Sequence, residues 1–383
     1  MQFTPRQRVL AVLRGEIPDR VPVMPGFGTW YGSRIQGCDL FDIEEGRVSA
    51  GEMMADLARK YACEMWYWQG YGDDIPLLST DGQGERRSSR DRIDQDSYVE
   101  TAWISAPSGV LSSQVVHSRF NPAHAVSGLI KAPDRDWPVY RQYAGDRWEW
   151  GDTTSLTDVP EDALSLGITS LGLALPVDFW KDLRCDTAAA AIDLVEDSSV
   201  LGEALEWHLH YSMQRLASRL SVQPPPDMIH LQGSSSSLSV ISPGIYERCN
   251  LDFVNRACDL AHEKRVPVQI HHCGKSARLV EMLCEKTSVD IIHPLEPPPG
   301  GDVNLARVKK RFGDRVILMG NLNTYQLMMF GTPAEVRQAA RKCIDDAAEG
   351  GRFILTTGDQ IGRDTPEANV MAMVEAAREY GLY

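Results

Sequence analysis

Short apolar runs alternate with amphipathic stretches along most of the chain, and each apolar run ends on polar or turn-forming residues. Thr4-Pro5-Arg6-Gln7 combines a cap residue, a proline at the first helical position and a Gln at the third. Val9, Leu10, Val12 and Leu13 follow and Gly15 stops them, which predicts a short amphipathic helix. Residues 19–25 read as a first strand, and residues 26–37 as a glycine- and aromatic-rich loop holding Trp30, Tyr31 and Arg34. Residues 50–61 carry helical periodicity. Glu64-Met-Trp-Tyr-Trp68 reads as a second strand, leading into a loop with Tyr71, Asp73 and Asp74.

The alternation then breaks. Residues 81–96 are polar and charged, and residues 97–105 alternate into Ala106-Pro-Ser-Gly109 and residues 110–117 as a hairpin should, so 77–163 is expected to be an insertion after the second strand. Beyond it the rhythm resumes. Residues 164–175 suit a third strand, 201–220 a helix, and 227–232 a fourth strand that opens into Gly233 and a run of serines. Ser242-Pro243 starts a helix to about residue 264, and Val266-Pro-Val-Gln-Ile-His271-His272-Cys273-Gly274 is the fifth strand with its exit. Residues 289–293 form the sixth, ahead of Pro294-Leu-Glu296-Pro-Pro-Pro, and residues 315–319 the seventh, ending in Gly320-Asn321. Thr332-Pro333-Ala-Glu335 is a second capping box, residues 352–356 the eighth strand, and Thr365-Pro366 the start of a final helix. Eight strands separated by helices predict an α/β fold, a parallel sheet closed into a (β/α)8 TIM barrel, as a single domain over 1–383 with the insertion inside it.

Composition narrows the functional classes. A net charge of -14, with no concentrated Lys/Arg face, argues against nucleic acid and anionic membrane as partners. No window offers the roughly 18 apolar residues of a membrane span, and the N-terminus lacks the apolar core of a signal peptide, so a cytoplasmic protein is expected. Eight scattered cysteines fit reduced thiols better than a disulfide framework.

The chemistry concentrates at the ends of the later strands. On an extended segment residues i and i+2 share a side, so His271 and Cys273 converge while His272 faces away. An imidazole and a thiolate together suit a borderline-soft ion such as zinc. Glu296, Asn321 and Asp359 follow the next three strands, and barrels of this kind gather their catalytic groups at that face. Glu296 reads either as a ligand or as a solvated carboxylate, Asp359 as a ligand or a turn residue, and Asn321 as a group that orients a ligand or bonds substrate. His272 is a candidate partner of the site from outside it, His293 reads as a packed strand residue, and Lys275 and Arg363 are candidate anion contacts.

These same residues resemble the uroporphyrinogen decarboxylase superfamily, and within it the corrinoid-dependent methyltransferases. The likeness rests on Asp19-Arg-Val-Pro, on His271-x-Cys273-Gly274, on Gly320-Asn321, and on Gly358 with Thr365-Pro366 and Asn369. It implies that His271 and Cys273 are zinc ligands, and that a third ligand, often Cys, stands after the glycine that follows the last strand; here that residue is Asp359. The related cobalamin-independent methionine synthase adds a Glu ligand at a spacing similar to Glu296. Zinc held by His271, Cys273, Glu296 and Asp359 is therefore expected, with Glu296, Asp359 and Asn321 as catalytic groups and Trp30, Tyr31, Trp66 and Trp68 lining a cofactor surface. A site with one thiolate and carboxylates is a harder Lewis acid than one with two thiolates, which favours an oxygen donor. The resemblance implies a methyltransferase moving a methyl group from a methoxy compound, such as an aromatic methyl ether, to the Co(I) corrinoid of a partner protein; a homodimer is compatible with it. A methylcobamide:thiol methyltransferase and a corrinoid or tetrapyrrole carrier are the alternatives. A uroporphyrinogen-type decarboxylase is a third, but residues 26–37 stand where its arginine-rich signature belongs and Asp359 stands in place of its C-terminal His.

Overall fold

The computed structural model describes residues 3–69, 79–150 and 159–383. Eight of its strands, β1 (Val23–Met24), β2 (Met65–Gln69), β7 (Gly167–Ala174), β8 (Met228–Gln232), β9 (Val268–His271), β10 (Ile291–His293), β11 (Ile317–Leu322) and β12 (Phe353–Thr357), form one sheet in the order β1-β12-β11-β10-β9-β8-β7-β2. Every pairing in it is parallel. The two ends of the sheet meet where the Glu64 N–H donates to the Val23 carbonyl at 3.1 Å and the Val23 N–H donates to Glu64 Oε2 at 2.7 Å. Helices follow the strands on the outside, giving the expected (β/α)8 TIM barrel.

Burial explains why only one end of the barrel is open. Met228, Ile291 and Ile317, each the first residue of its strand, pack with Ile168 and Ile354 inside the barrel, and Val9 and Val12 of the helix Pro5–Leu13 close over them. That helix carries the expected capping box, with Thr4 accepting from the Gln7 N–H and the Gln7 side chain reaching back to Thr4. The amino-terminal end is thus plugged with apolar side chains, and functional groups can collect only at the carboxyl end.

Several boundaries differ from expectation. The first strand shrinks to two residues because Pro22 and Pro25, which lack an N–H, flank it. Thr29–Gln36, expected as a loop, is a helix that ends at Gly37 in the left-handed conformation (φ 73°). The insertion holds more than a hairpin: β3 (Glu85–Arg92), β4 (Ser97–Ala106), β5 (Gly109–Ser118) and β6 (His124–Ser127) make an antiparallel sheet, joined to the barrel by the helix Pro133–Ala144. Every residue of β3 is exposed, so no apolar alternation announced it. Tyr71, Asp73, Asp74 and the start of the insertion at Leu77 lie outside the described residues.

Candidate metal centre

Strand register sets the site. Across β8, β9 and β10, Gln232 pairs with His271 and His271 with His293, so the three stand abreast at the carboxyl ends of neighbouring strands. His271 ends β9, and Cys273 follows two residues later on the same side, as the H-x-C spacing predicts. Asp359 arrives from the turn after β12. One ligand atom from each of His271, Cys273 and Asp359 lies within 4.8 Å of the others, and His271 Nε2 is 3.8 Å from Asp359 Oδ2.

His271 is 1% exposed; its Nδ1 lies 2.8 Å from His293 Nδ1, and its Nε2 is buried without a hydrogen-bond partner. A buried ring nitrogen costs free energy unless something takes its lone pair or its hydrogen. Electrostatics point the same way. Burial pushes the His271 ring down to about 4, keeping it neutral, and burial together with the Asp359 carboxylate pushes the Cys273 thiol up to about 11. Burial also raises Asp359 and Glu296 above the usual carboxylate range, the latter against the pull of the Gly274 N–H. A cation at the meeting point would offset each of these penalties, so the donor set fits a zinc ion of one nitrogen, one sulfur and oxygen ligands.

Glu296 flanks the three rather than joining them. Its Oε2 accepts the Gly274 N–H at 2.5 Å, and a side chain at Gly358 would come within 3.1 Å of Oε1, so the glycine leaves that oxygen room beside the turn that carries Asp359. His272 faces the opposite way as expected: its ring lies between the Gly233 carbonyl, 2.8 Å from Nδ1, and the Tyr246 hydroxyl, 3.0 Å from Nε2. Asn321, expected at the mouth, is elsewhere. It lies within β11, donates to the Leu295 carbonyl at 2.7 Å and accepts from the Cys343 thiol at 3.2 Å, which ties it to the surrounding helix layer instead. Lys275 is exposed, Arg363 pairs with Asp364, and neither lines the cavities of the mouth.

The aromatic residues divide. Trp66 and Trp68, with ring centres 4.8 Å apart, line a cavity that reaches Asp359 and His293, and a second cavity of about 180 Å³ shares both tryptophans and extends to Trp30. Tyr31 is not part of that wall, contrary to expectation. It is fully buried, stacks on Phe27 and bonds the Tyr61 hydroxyl at 2.7 Å, because the helix Thr29–Gln36 turns it inward.

Sequence reasoning passed over three residues here and read a fourth, His293, as strand packing alone. His293 is the partner of the His271 ring, and His230 packs edge-on to His271 at 6.0 Å and to Trp66 at 5.0 Å. Ser234, beside the Cys273 thiol, accepts from Gln232 Nε2 at 2.5 Å. Asp178, buried, accepts from the Ser235 N–H at 2.6 Å and from the Ser236 hydroxyl, which fixes the serine loop beside Cys273. The available signal was a histidine interrupting an apolar run, at Met228-Ile-His-Leu and Ile291-Ile-His.

Similarity to known proteins follows the same geography. Residues 226–380, from β8 to the last helix, match the Uroporphyrinogen decarboxylase (URO-D) family. Proteins named Methylcobamide:CoM methyltransferase MtbA, from Methanosarcina mazei and Methanosarcina acetivorans, are each 28% identical, over 163 and 166 residues, or 43% of this chain and 45% of theirs. A uroporphyrinogen decarboxylase from Dichelobacter nodosus is 38% identical over 77 residues, 20% of this chain and 22% of its own. The matches thus span less than half the length of these relatives. In three dimensions a methyltransferase from Methanosarcina mazei aligns over 99% of both chains with a TM-score of 0.64 and 17% identity, a likeness of fold. The chain therefore resembles the uroporphyrinogen decarboxylase family in sequence from residue 226 to 380, and shares its fold along its whole length with the methyltransferase from Methanosarcina mazei.

Proposed function

We propose that this protein is a methyltransferase that takes a methyl group from a methoxy compound, with an aromatic methyl ether as the best-fitting class, and passes it to the Co(I) corrinoid of a partner protein. One observation carries the reading: the partnerless, buried Nε2 of His271 faces Cys273 and Asp359 beside a tryptophan-lined cavity. His271, Cys273 and Asp359 would hold zinc, with Glu296 at its flank. The ion would supply Lewis acidity toward the donor oxygen.

The chain's own residues do the rest. Trp30, Trp66 and Trp68 offer flat apolar faces for an aromatic ring, and the donor lies between them and Asp359. The methyl carbon–oxygen bond breaks with its electron pair left on oxygen, while the methyl group is taken up by the electron pair of Co(I). The departing oxygen then needs a proton, and Glu296, whose Oε2 is anchored to Gly274, would deliver one from Oε1.

A second reading has a specific observation behind it. The two relatives matched over 43% of this chain bear the name Methylcobamide:CoM methyltransferase, so a thiol acceptor is the competing assignment. Asp359 weighs against it, because a carboxylate in place of a second thiolate leaves the ion less electron-rich and better suited to oxygen. The test is elemental analysis of the purified chain, followed by methyl transfer from aryl methyl ethers to a reduced corrinoid. Zinc near one equivalent, with turnover abolished in His271→Ala and Cys273→Ser, is expected. Full turnover in a metal-free variant overturns the proposal, and methylation of thiols but no cleavage of ethers selects the second reading.

A further inference from the structure

We infer that His293 is a positioning residue of the metal centre, accepting the Nδ1–H of His271 and so holding the ring with Nε2 turned toward Cys273 and Asp359. The inference rests on the zinc reading above and adds a residue to it. With the two Nδ1 atoms 2.8 Å apart, one must donate and the other accept. Both rings are buried. A histidine that ligates through Nε2 keeps its hydrogen on Nδ1. His293 must then accept at Nδ1, which leaves its own hydrogen on Nε2.

His293 lines the same cavity as Thr357, which ends β12 two residues before Asp359. Trp66 meets His293 nearly edge-on, at 5.7 Å and 86°, and limits rotation of the ring. His230 stands on the other side of His271, with its own nitrogens engaged by Gln269 and Gln232. It is not a competing acceptor.

The test compares Zn²⁺ affinity by chelator competition, and the visible spectrum of the Co²⁺-loaded form, in the full chain and in His293→Asn, His293→Leu and His271→Ala. The Asn side-chain oxygen occupies the place of Nδ1, can still accept from His271, and should keep affinity and spectrum close to those of the unaltered protein. Leucine cannot, and should lower affinity by about 10- to 100-fold with an altered Co²⁺ spectrum. If leucine prevents folding, His293→Phe, which fills the space of the ring without an acceptor, replaces it with the same expectation. Unaltered affinity and spectrum in the leucine or phenylalanine variant, while His271→Ala loses metal, overturn this inference alone. Unaltered affinity in His271→Ala overturns the metal reading and this inference with it.

Discussion

His271 Nε2 lies 3.8 Å from Asp359 Oδ2, although the two residues leave different strands, β9 and β12, on opposite sides of the pair β10 and β11. Closure of the sheet produces that approach, and in the proposed zinc site residue 359 would set the character of the ion.

Exchange at that position should shift chemistry rather than abolish it. Asp359→Cys adds a thiolate beside Cys273, which makes the bound ion more electron-rich. We expect retained zinc, ether cleavage reduced on the order of tenfold or more, and new methylation of thiol acceptors. Parallel assays with an aryl methyl ether and a thiol check this, and an unchanged ratio between them contradicts it.

The aromatic wall should act on binding. Trp68, 37% exposed, borders both cavities of the mouth and stacks obliquely on Trp66. Trp68→Ala should raise KM for an aromatic donor roughly tenfold, the equivalent of about 1.4 kcal/mol of lost contact, with kcat little changed. Steady-state kinetics decide, and a fall in kcat at constant KM would assign Trp68 a different role.

Far from the mouth, barrel closure depends on a buried ion cluster. Glu64, with a fully buried side chain, accepts from Arg8 at 2.5 Å, from Arg20 at 2.8 Å and from the Val23 N–H that joins the sheet ends. Glu64→Ala leaves the largely buried Arg20 without its carboxylate, while Arg8 keeps Asp19, and should cost about 3–5 kcal/mol. Denaturant unfolding measures it, and a loss below about 1 kcal/mol, the range of an exposed pair, would show that closure does not depend on this carboxylate.

How far the sequence discloses such features varies with their physical basis. The capping boxes Thr4/Gln7 and Thr332/Glu335 and the His271/Cys273 spacing are local rules of backbone geometry, and the structure has all three. The bond between His293 and His271 depends on interstrand register, which no local pattern encodes. Strand β3 shows no apolar alternation because both of its faces meet solvent, and Tyr31 points into the core because glycines at both ends of Thr29–Gln36 permit a helix where their density suggested a loop. Asn321 stands at the predicted strand end, but its side chain bonds to Leu295 and Cys343.

Asp178 should leave a signature in the pH dependence of stability. Burial raises its carboxyl from an ordinary 3.8 to about 7, so the folded chain keeps a proton there that the unfolded chain releases near pH 4. Stability from this group therefore declines as pH rises from about 4 to about 7 and levels off above that. Asp178→Asn removes the decline while an amide can still meet Ser235 and Ser236. Its melting temperature should gain on that of the unaltered protein between pH 5 and pH 8, and parallel profiles would contradict the buried-carboxyl account.

Zinc K-edge X-ray absorption on the purified full chain addresses the meeting of imidazole, sulfur and carboxylate directly. The expected spectrum contains one sulfur scatterer at roughly 2.3 Å with nitrogen and oxygen at about 2.0–2.2 Å, and the sulfur shell disappears in Cys273→Ser. A zinc spectrum with no sulfur in the unaltered protein, or with a sulfur shell that survives Cys273→Ser, would contradict it.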